Sequence, residues 1–299
     1  MTGLPSQVMT NLMDALPPPQ EIEQDVRDAL REDIGSGDVT ASLLPDSVDS
    51  AYLLCKEDGV LSGKAWFELC HRLVDPEITF EWFADDGDRI ASGTVLALLH
   101  GHSRALVTGE RSSLNFIQTL SGTATEVRRY VDALQGTRTR VLDTRKTIPG
   151  LRLAQKYAVL CGGGLNHRFG LYDTVMLKEN HIRAAGSMGA AVTHARQMYP
   201  ELPLIIEVES IEQLREALDT DCTRILIDDF TPEMRREAVA VAGGKIPLEV
   251  SGGVTYENIA DIARDGVDYI SIGGLTKHVR ALDLSLKLGP PPAQYRLAR

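Results

Sequence analysis

The stretch "LIIEVESIEQLREALDTDCTRILIDDFTPEMRREAVAVAG" at residues 204–243 decides the fold. Two largely apolar runs, 204–209 and 224–229, are each followed by an amphipathic segment with a clear helix start. Ser210 opens a capping-box pattern, and Thr231 precedes a proline at the first helical position. An apolar strand followed by a helix, repeated, indicates a parallel sheet covered by helices.

The same alternation recurs across the second half of the chain. Further strand-like runs read TRVLDT, TVMLKEN, PLEVSGG and YISIGG and begin at residues 139, 174, 247 and 269. The later strand starts, at 204, 224, 247 and 269, fall 20 to 23 residues apart. This even spacing favours a β/α barrel over an open sheet.

The residues before about 120 follow a different pattern. The segment 21–35 has apolar positions on one helical face and stops at Gly35. Short apolar runs beginning at 51, 78 and 94 are typical of antiparallel strands. The segment 110–134 predicts a long helix with one break at Ser121-Gly122.

Composition narrows the class of protein. The 299 residues include 31 Lys or Arg and 42 Asp or Glu, a net charge of −11 that argues against a nucleic-acid or membrane surface. No apolar run is long enough to cross a membrane, and the first residues lack the pattern of a secretory signal. The four cysteines are far apart, which favours a reduced, cytoplasmic protein without structural zinc.

The charge reverses locally between residues 138 and 178. This stretch holds eight Lys or Arg and two Asp, a local net charge of +6. The predicted barrel strands also end in polar or glycine-rich residues, and in such barrels all carboxyl ends open onto one face. We therefore expect one polar mouth, formed by Asp143 to Lys146, Lys178, Glu207, Asp228, Ser251 to Gly253 and Gly273.

The predicted mouth has two kinds of side chain. One half is cationic and suits carboxylates or phosphates; it comprises Arg145, Lys146, His167, Arg168 and Lys178. The other half is acidic, and Glu207 and Asp228 would face a phosphate only through a divalent ion such as Mg²⁺. Backbone N–H groups of the sequences SGGV and GG, at 251–254 and 273–274, would meet phosphate oxygens. The mouth thus predicts a phosphorylated substrate with magnesium and a second, carboxylate-rich ligand.

Two other chemistries remain open at this point. Lys178 would form a Schiff base if cationic neighbours depressed its pKa. Cys161 lies near His167 in sequence, but no acyl-transfer pattern supports a nucleophilic pair, so we expect a buried, inert thiol.

Six ordered motifs resemble the quinolinate phosphoribosyltransferase family, also called nicotinate-nucleotide pyrophosphorylase (carboxylating). The resemblance extends from about residue 22 to 288. The motifs are LREDIGSGDVT (30–40), GERSSLNFIQTLSGTAT (109–125), DTRKTIPGLR (143–152), GGGLNHRFGLYD (162–173), LKENH (177–181) and EVSGG (249–253).

The resemblance implies a reaction and an architecture. Quinolinate and phosphoribosyl pyrophosphate would give nicotinate mononucleotide, pyrophosphate and CO₂ in de novo NAD biosynthesis. The implied fold is an open-sided β/α barrel, residues 122–278, with a mixed α/β N-terminal domain, residues 21–121, completed by about 279–299. A flexible segment, residues 1–20, would precede them, and the chain would form a dimer or a larger homo-oligomer.

The resemblance also implies roles for individual residues. Quinolinate carboxylates would be held by Arg145, His167, Arg168 and Lys178. Phosphates would be met by Lys146, Ser251, Gly252, Gly253 and Gly273, and Thr144 would also bind substrate. Glu207 and Asp228 would face the ribose and, through Mg²⁺, the pyrophosphate. Arg111 would reach the site of a neighbouring subunit.

The family pattern and this chain differ at 271–279, where SIGGLTKHV replaces the usual Gly-Ala and Thr-His-Ser. Two other functions stay open: a related phosphoribosyltransferase for another pyridine or a cofactor precursor, and a non-catalytic quinolinate-binding protein. The first would need fewer carboxylate-binding groups, and the second would bind quinolinate without turnover.

Overall fold

The computed structural model describes residues 12–298. Short 3₁₀ turns cover Leu12–Ala15 and Ala41–Leu43. The α-helices are α1 Pro19–Ile34, α2 Lys64–Val74, α3 Ser103–Ala133, α4 Arg152–Cys161, α5 Glu179–Ala185, α6 Met188–Met198, α7 Ile211–Leu218, α8 Pro232–Ala242, α9 Ile259–Arg264 and α10 Gly274–Lys277. The strands are β1 Val48–Cys55, β2 Gly59–Val60, β3 Thr79–Trp82, β4 Arg89–Ile90, β5 Thr94–His102, β6 Arg140–Leu142, β7 Val175–Leu177, β8 Leu204–Val208, β9 Arg224–Asp228, β10 Leu248–Ser251, β11 Tyr269–Ser271, β12 Leu284–Leu288 and β13 Arg296–Leu297.

The chain divides into two compact units. The first unit holds the residues up to Arg128 together with 148–163 and 278–299, and the second holds 129–147 and 164–277. The sequence division at residues 121 and 122 stays a prediction, as does the flexible segment 1–20, of which residues 1–11 lie outside the described range. Within that segment, Pro19 already opens α1.

The first unit contains a five-stranded sheet in the order β12-β1-β5-β13, with β3 also paired to β5. Strands β1 and β3 pair with β5 antiparallel, as the sequence predicts. The C-terminal strands join the same sheet, because β12 pairs with β1 and β13 pairs with β5. Leu53, Leu96 and Leu99 lie in the core of this unit with no exposed surface.

Helix α3 is continuous from Ser103 to Ala133, so the predicted break at Ser121-Gly122 is wrong. Both residues serve packing. A Cβ on Gly122 would lie 2.1 Å from the carbonyl oxygen of Arg280, and the Ser121 hydroxyl donates to the carbonyl of Ser62. Glycine is chosen here because another segment approaches closely, and the helix tolerates its weak propensity.

Helix α4 belongs to the first unit, although the sequence division assigned its residues to the barrel. Its apolar face joins the cluster that contains Val26, Trp66 and Leu120. Tyr157 is 2% exposed, and its ring lies 5.9 Å from that of Trp66. Burial of this face against α1, α2 and α3 explains why α4 packs with the first unit.

The second unit contains six parallel strands in the order β6-β11-β10-β9-β8-β7, with helices between them. This confirms the predicted β/α barrel and its open side: within residues 12–298 no strand pairing joins β6 to β7. Leu165 instead forms a parallel bridge with Leu142 at the β6 edge. The six barrel strands correspond to the six strand-like runs that the sequence predicts.

The predicted helix starts are confirmed. The Ser210 and Thr231 side chains accept hydrogen bonds from Gln213 and Met234 at the beginnings of α7 and α8. The side chain of Gln213 completes the start by accepting from the amide of Glu209. Across residues 12–298 there is also no helix with the length and apolar character needed to cross a membrane.

Candidate active site

Strand register places the predicted site residues of neighbouring strands at the carboxyl end of the barrel sheet. Leu177 pairs with Ile206, so the next residues, Lys178 and Glu207, stand side by side. One strand further, Asp228 pairs with Ser251. The polar strand ends of β7 to β10 therefore meet at one edge, as expected for a barrel mouth.

Lys178 forms an ion pair with Glu207, Nζ to Oε2. The lysine side chain is 46% exposed and that of Glu207 is 14% exposed, so the pair is open to the mouth. The Lys178 backbone is fixed by its N–H, which donates to His181 Nδ1 at the start of α5. A carboxylate beside Lys178 is not the cationic setting that the Schiff-base alternative required.

Asp228 lies in an acidic part of the mouth. Burial raises the pKa of its carboxyl, and the negative charges of Glu207 and Asp229 add to the rise against the opposing charge of Lys178. Asp229 has φ of 55°, the only non-glycine residue with positive φ among residues 12–298. Acidic groups are thus held close together at a cost in backbone conformation and electrostatic repulsion.

Arg145 and Arg168 form a cationic part of the mouth. Partial burial lowers the pKa of Arg168, the positive charge of Arg145 lowers it further, and Asp173 and Glu207 oppose the shift. Asp173 also orders the loop after Arg168, because its carboxylate accepts from the amides of Phe169 and Gly170. Two guanidinium groups in one electrostatic neighbourhood suit a ligand with more than one carboxylate.

Asp143, at the end of β6, anchors the loop that carries His167 and Arg168. It is fully buried and accepts from Asn166 Nδ2 at 2.7 Å and from the His167 amide at 2.8 Å. Gly162, in the glycine run before this loop, serves packing: a Cβ there would lie 2.6 Å from the Ala124 carbonyl.

His167 lies against a buried acid that the sequence analysis did not select. Its Nε2 is 3.3 Å from Oε1 of Glu249, and Oε2 of Glu249 accepts from Arg224 Nη1 at 2.9 Å. Burial alone would raise the pKa of Glu249, but His167 and Arg224 hold it below its ordinary value. The available signal was a charged residue inside the otherwise apolar run PLEV, two residues before Ser251 and therefore on the same face of β10.

The side chain of Lys146 packs against Gly273, just after the last barrel strand, β11. A Cβ on Gly273 would be 2.6 Å from Lys146 Cδ and 3.5 Å from Thr144 Oγ1. The Lys146 backbone is tied at both polar atoms, since its N–H donates to Thr144 Oγ1 and its carbonyl accepts from Thr276 Oγ1. The predicted phosphate-binding residues Lys146 and Gly273 therefore lie together with Thr144, which was predicted to bind substrate.

Glycines after β10 keep the acidic part of the mouth open. Gly252 has φ of 84°, and a Cβ there would lie 3.1 Å from Asp228 Oδ1 and 3.0 Å from Asp229 Oδ1. Gly253 has φ of 57°, and its carbonyl accepts from Asn258. These conformations favour glycine and let the chain pass close to the two carboxylates.

Family models match the chain on both sides of residue 122. The C-terminal domain of quinolinate phosphoribosyl transferase matches residues 123–287, and the N-terminal domain matches residues 38–121. The chain belongs to the quinolinate phosphoribosyltransferase family.

Individual relatives agree with this assignment. Quinolinate phosphoribosyltransferase [decarboxylating] 2b, mitochondrial, of Nicotiana tabacum is 42% identical over 91% of this chain and 83% of its own length. The probable nicotinate-nucleotide pyrophosphorylase [carboxylating] of Bacillus subtilis (strain 168) is 42% identical over 85% of this chain and 89% of its own length. The solved nicotinate-nucleotide pyrophosphorylase of Francisella tularensis is 42% identical, with a TM-score of 0.89 over 91% of this chain and 97% of that one.

The barrel unit of this family member brings together most of the predicted site. Arg111 belongs to the other unit, on α3, with a side chain 58% exposed and 3.8 Å from the carboxylate of Glu110. The local positive charge is not all at the mouth, because Arg138 lies before β6 and bonds to the Gly266 carbonyl. Cys161 is buried as expected, and burial raises its thiol pKa to about 12.

Proposed function

We propose that this chain transfers the phosphoribosyl group of phosphoribosyl pyrophosphate to quinolinate and decarboxylates the product to nicotinate mononucleotide. Membership of the family over both of its domains carries the proposal. The released products are pyrophosphate and CO₂, and the reaction belongs to de novo NAD biosynthesis. The mouth of the barrel supports the proposal, because cationic and acidic side chains occupy separate strand ends there.

The cationic part is suited to a pyridine dicarboxylate. Arg145 and Arg168 offer planar forks that match carboxylates in two places at once. Lys178 adds a point charge next to Glu207. Arg145, Arg168 and Lys178 would together orient the ring nitrogen of quinolinate toward the anomeric carbon. The entropic cost of aligning the two substrates would then be met on binding and not during the reaction.

The acidic part is suited to the ribosyl carbon during transfer. Departure of pyrophosphate leaves positive charge on the ribose, which the carboxylates of Glu207 and Asp228 would stabilise. Lys178 in its ion pair would meanwhile offset the charge of Glu207 when no ribosyl cation is present. Phosphoribosyl transfer in this site would therefore depend on preorganised charges and need little proton transfer by the protein.

Mg²⁺ fits this donor set as an ion carried by the substrate. Within residues 12–298, no group of three or more His, Cys, Asp or Glu side chains forms a metal cage. The negative charges of Glu207 and Asp229, which help to raise the pKa of Asp228, would also favour binding of a cation beside these carboxylates. Magnesium usually takes one or two carboxylates and completes its shell with water and phosphate oxygens. Glu207 and Asp228 would hold it, directly or through water, and it would neutralise charge on the departing pyrophosphate.

Decarboxylation follows from the new bond to the ring nitrogen. The nitrogen becomes cationic on ribosylation, and the adjacent carboxylate then leaves as CO₂ because the cation stabilises the electron pair left on carbon. A proton from water then takes up that electron pair and forms the C–H bond of nicotinate mononucleotide. Loss of this carboxylate would remove one of the two negative groups that Arg145 and Arg168 hold, which would weaken their hold on nicotinate mononucleotide and help it to leave.

We further propose a cytoplasmic homo-oligomer, a dimer or a hexamer, with Arg111 contributing to a neighbouring subunit's site. The support is an arginine 58% exposed on α3. Mixing Arg111→Ala with Lys178→Ala should then restore activity that neither variant has alone. With random subunit exchange about half the dimers are mixed, each with one intact site, so about a quarter of wild-type activity returns. Verified exchange without recovery would show that Arg111 does not act across subunits.

One assay tests the reaction itself. The protein is incubated with phosphoribosyl pyrophosphate, Mg²⁺ and quinolinate labelled in the carboxylate next to the ring nitrogen. Equal amounts of labelled CO₂ and nicotinate mononucleotide are expected. Nicotinate, which lacks that carboxylate, serves as the matched alternative substrate; preference for nicotinate would indicate a different phosphoribosyltransferase, and quinolinate binding without CO₂ would indicate a non-catalytic protein.

A further inference from the structure

A row of buried side chains runs behind the loop that carries Arg168. Glu249, with no exposed surface, receives a hydrogen bond from Arg224 on one carboxylate oxygen and faces His167 with the other. Arg224 is itself held, since its guanidinium lies 4.4 Å from the ring centre of Tyr269. Arg224 therefore fixes Glu249 through Oε2, while Oε1 of Glu249 lies next to His167.

Both ring nitrogens of His167 face protein groups. The amide of Arg168 donates to Nδ1 at 2.6 Å, which requires that Nδ1 carry no proton. The ring proton of the neutral form is then on Nε2, which points at the Glu249 carboxylate 3.3 Å away. The residue is only 8% exposed, so its ring contributes little surface to the mouth.

The main chain of His167 is held by a second buried acid. Asp143 accepts from the His167 amide at 2.8 Å and from the neighbouring Asn166 side chain. Two buried carboxylates thus lie against this residue: Asp143 accepts from its backbone amide, and Glu249 lies 3.3 Å from its ring nitrogen. What they fix in common is the direction in which the next residue, Arg168, leaves the loop.

We propose that Glu249 is a positioning residue for quinolinate, which it serves by holding His167 and thereby the backbone of Arg168. The inference rests on the proposed function, because it assigns Arg168 to the quinolinate carboxylates. The tautomer with its proton on Nε2, which the Arg168 amide requires, is also the one that places a ring N–H beside Glu249.

This role differs from simple support of the barrel. If Glu249 acts through Arg168, its loss should weaken quinolinate binding and leave phosphoribosyl pyrophosphate binding nearly unchanged. A merely structural acid would affect both substrates alike. A matched control is available in Asp265, whose carboxylate is 8% exposed and pairs with Arg235 Nε at 2.8 Å.

The test compares Glu249→Gln with Asp265→Asn in steady-state kinetics. For Glu249→Gln we expect the KM for quinolinate to rise about 10- to 100-fold, the range seen when partners behind metal-binding histidines are removed. The KM for phosphoribosyl pyrophosphate should stay within about threefold, and Asp265→Asn should change neither. An unchanged quinolinate KM in Glu249→Gln, or equal losses for both substrates, would overturn the proposal.

Nitrogen NMR of ¹⁵N-histidine-labelled protein gives a readout independent of activity. The His167 signals, assigned by their loss in His167→Gln, should show an unprotonated Nδ1 and a protonated Nε2 in the wild type. A protonated Nδ1 would overturn the proposal. If Glu249→Gln does not fold, Glu249→Asp keeps the charge for Arg224 but shortens the reach to His167, and it should show the same selective rise in quinolinate KM.

Failure of the proposed function would look different. Wild-type protein that folds but turns over no quinolinate would contradict the function, whereas a comparison of the His167 nitrogen signals in wild type and Glu249→Gln would still show whether Glu249 acts on the ring. Wild-type turnover with normal kinetics in Glu249→Gln would leave the function standing and refute the positioning role.

Discussion

The two ends of the parallel barrel sheet use charged residues in opposite ways. At the amino end, charges meet partners of opposite sign or backbone acceptors. Arg138 donates to the Gly266 carbonyl and lies 3.5 Å from Asp268, and Asp268 accepts in turn from the Leu248 amide. Arg196 bonds to both the side chain and the backbone of Asp221.

At the carboxyl end, the ion pair of Lys178 and Glu207 is accompanied by charges of the same sign that lie near one another. Arg145 lowers the pKa of Arg168, while Glu207 and Asp229 help to raise that of Asp228. Such an arrangement costs folding energy, and ligands of opposite charge would relieve it. The difference teaches that the same residue types stabilise the barrel at one end and are held ready for substrate at the other.

The largest expected effect separates these two ends by activity. Arg168→Ala and Lys178→Ala should each lower kcat/KM for quinolinate by about 10- to 150-fold, because each removes a charge-assisted contact worth about 1.5–3 kcal/mol in binding. Arg138→Ala, the amino-end control, should keep turnover and lose less than about 1 kcal/mol of stability. The check is kcat/KM beside a thermal melt; near-native activity of either mouth variant would break the comparison.

Removal of Mg²⁺ should stop turnover, because the acidic part of the mouth is proposed to act through the metal ion. Excess EDTA should abolish turnover, and Mg²⁺ should restore it, because in the proposed arrangement the pyrophosphate would face Glu207 and Asp228 only through a cation. Glu207→Ala should lower kcat by about 100-fold or more, as for other preorganised charges at a reacting centre. Full activity in EDTA would refute the metal-bridged arrangement.

A smaller effect concerns the stability contributed by the interior acid. Since His167 and Arg224 hold the pKa of Glu249 below its unfolded value, ionised Glu249 stabilises the fold above that unfolded pKa. Glu249→Gln should therefore destabilise the protein at neutral pH by about 3 kcal/mol, the cost of breaking a buried pair. The loss should shrink as pH falls through the folded pKa of Glu249, which urea unfolding at several pH values would measure. A loss that stayed constant with pH would contradict the pairing.

Most of the barrel could be predicted from sequence because its signals are local. Apolar runs at even spacing and the caps at Ser210 and Thr231 each depend on neighbours a few residues away. The mouth could be predicted from the rule that parallel strand ends meet. Lys178 and Glu207 were selected on that rule, and strand register places them side by side.

What the sequence could not supply depends on contacts between distant segments. Gly122 reads as a helix break, yet its lack of a side chain accommodates the Arg280 carbonyl 158 positions further along. Glu249 sits within a strand-like run, where one residue gives no sign of its partners at 167 and 224. Such tertiary contacts override local propensity and become visible only in the folded chain.

The most direct measurement is the free energy of unfolding of Asp228→Asn. The pKa of Asp228 is raised in the folded state, so its ionised carboxylate costs stability above that pKa, and the cost vanishes below the unfolded pKa. Asp228→Asn should therefore be inactive but more stable than wild type at pH 7, by about 1 kcal/mol, with the gain disappearing in acid. Urea titrations at pH 7 and pH 3 would measure both values. An inactive variant that is less stable at pH 7 would show that Asp228 serves the fold, and would contradict the division between the two ends of the barrel.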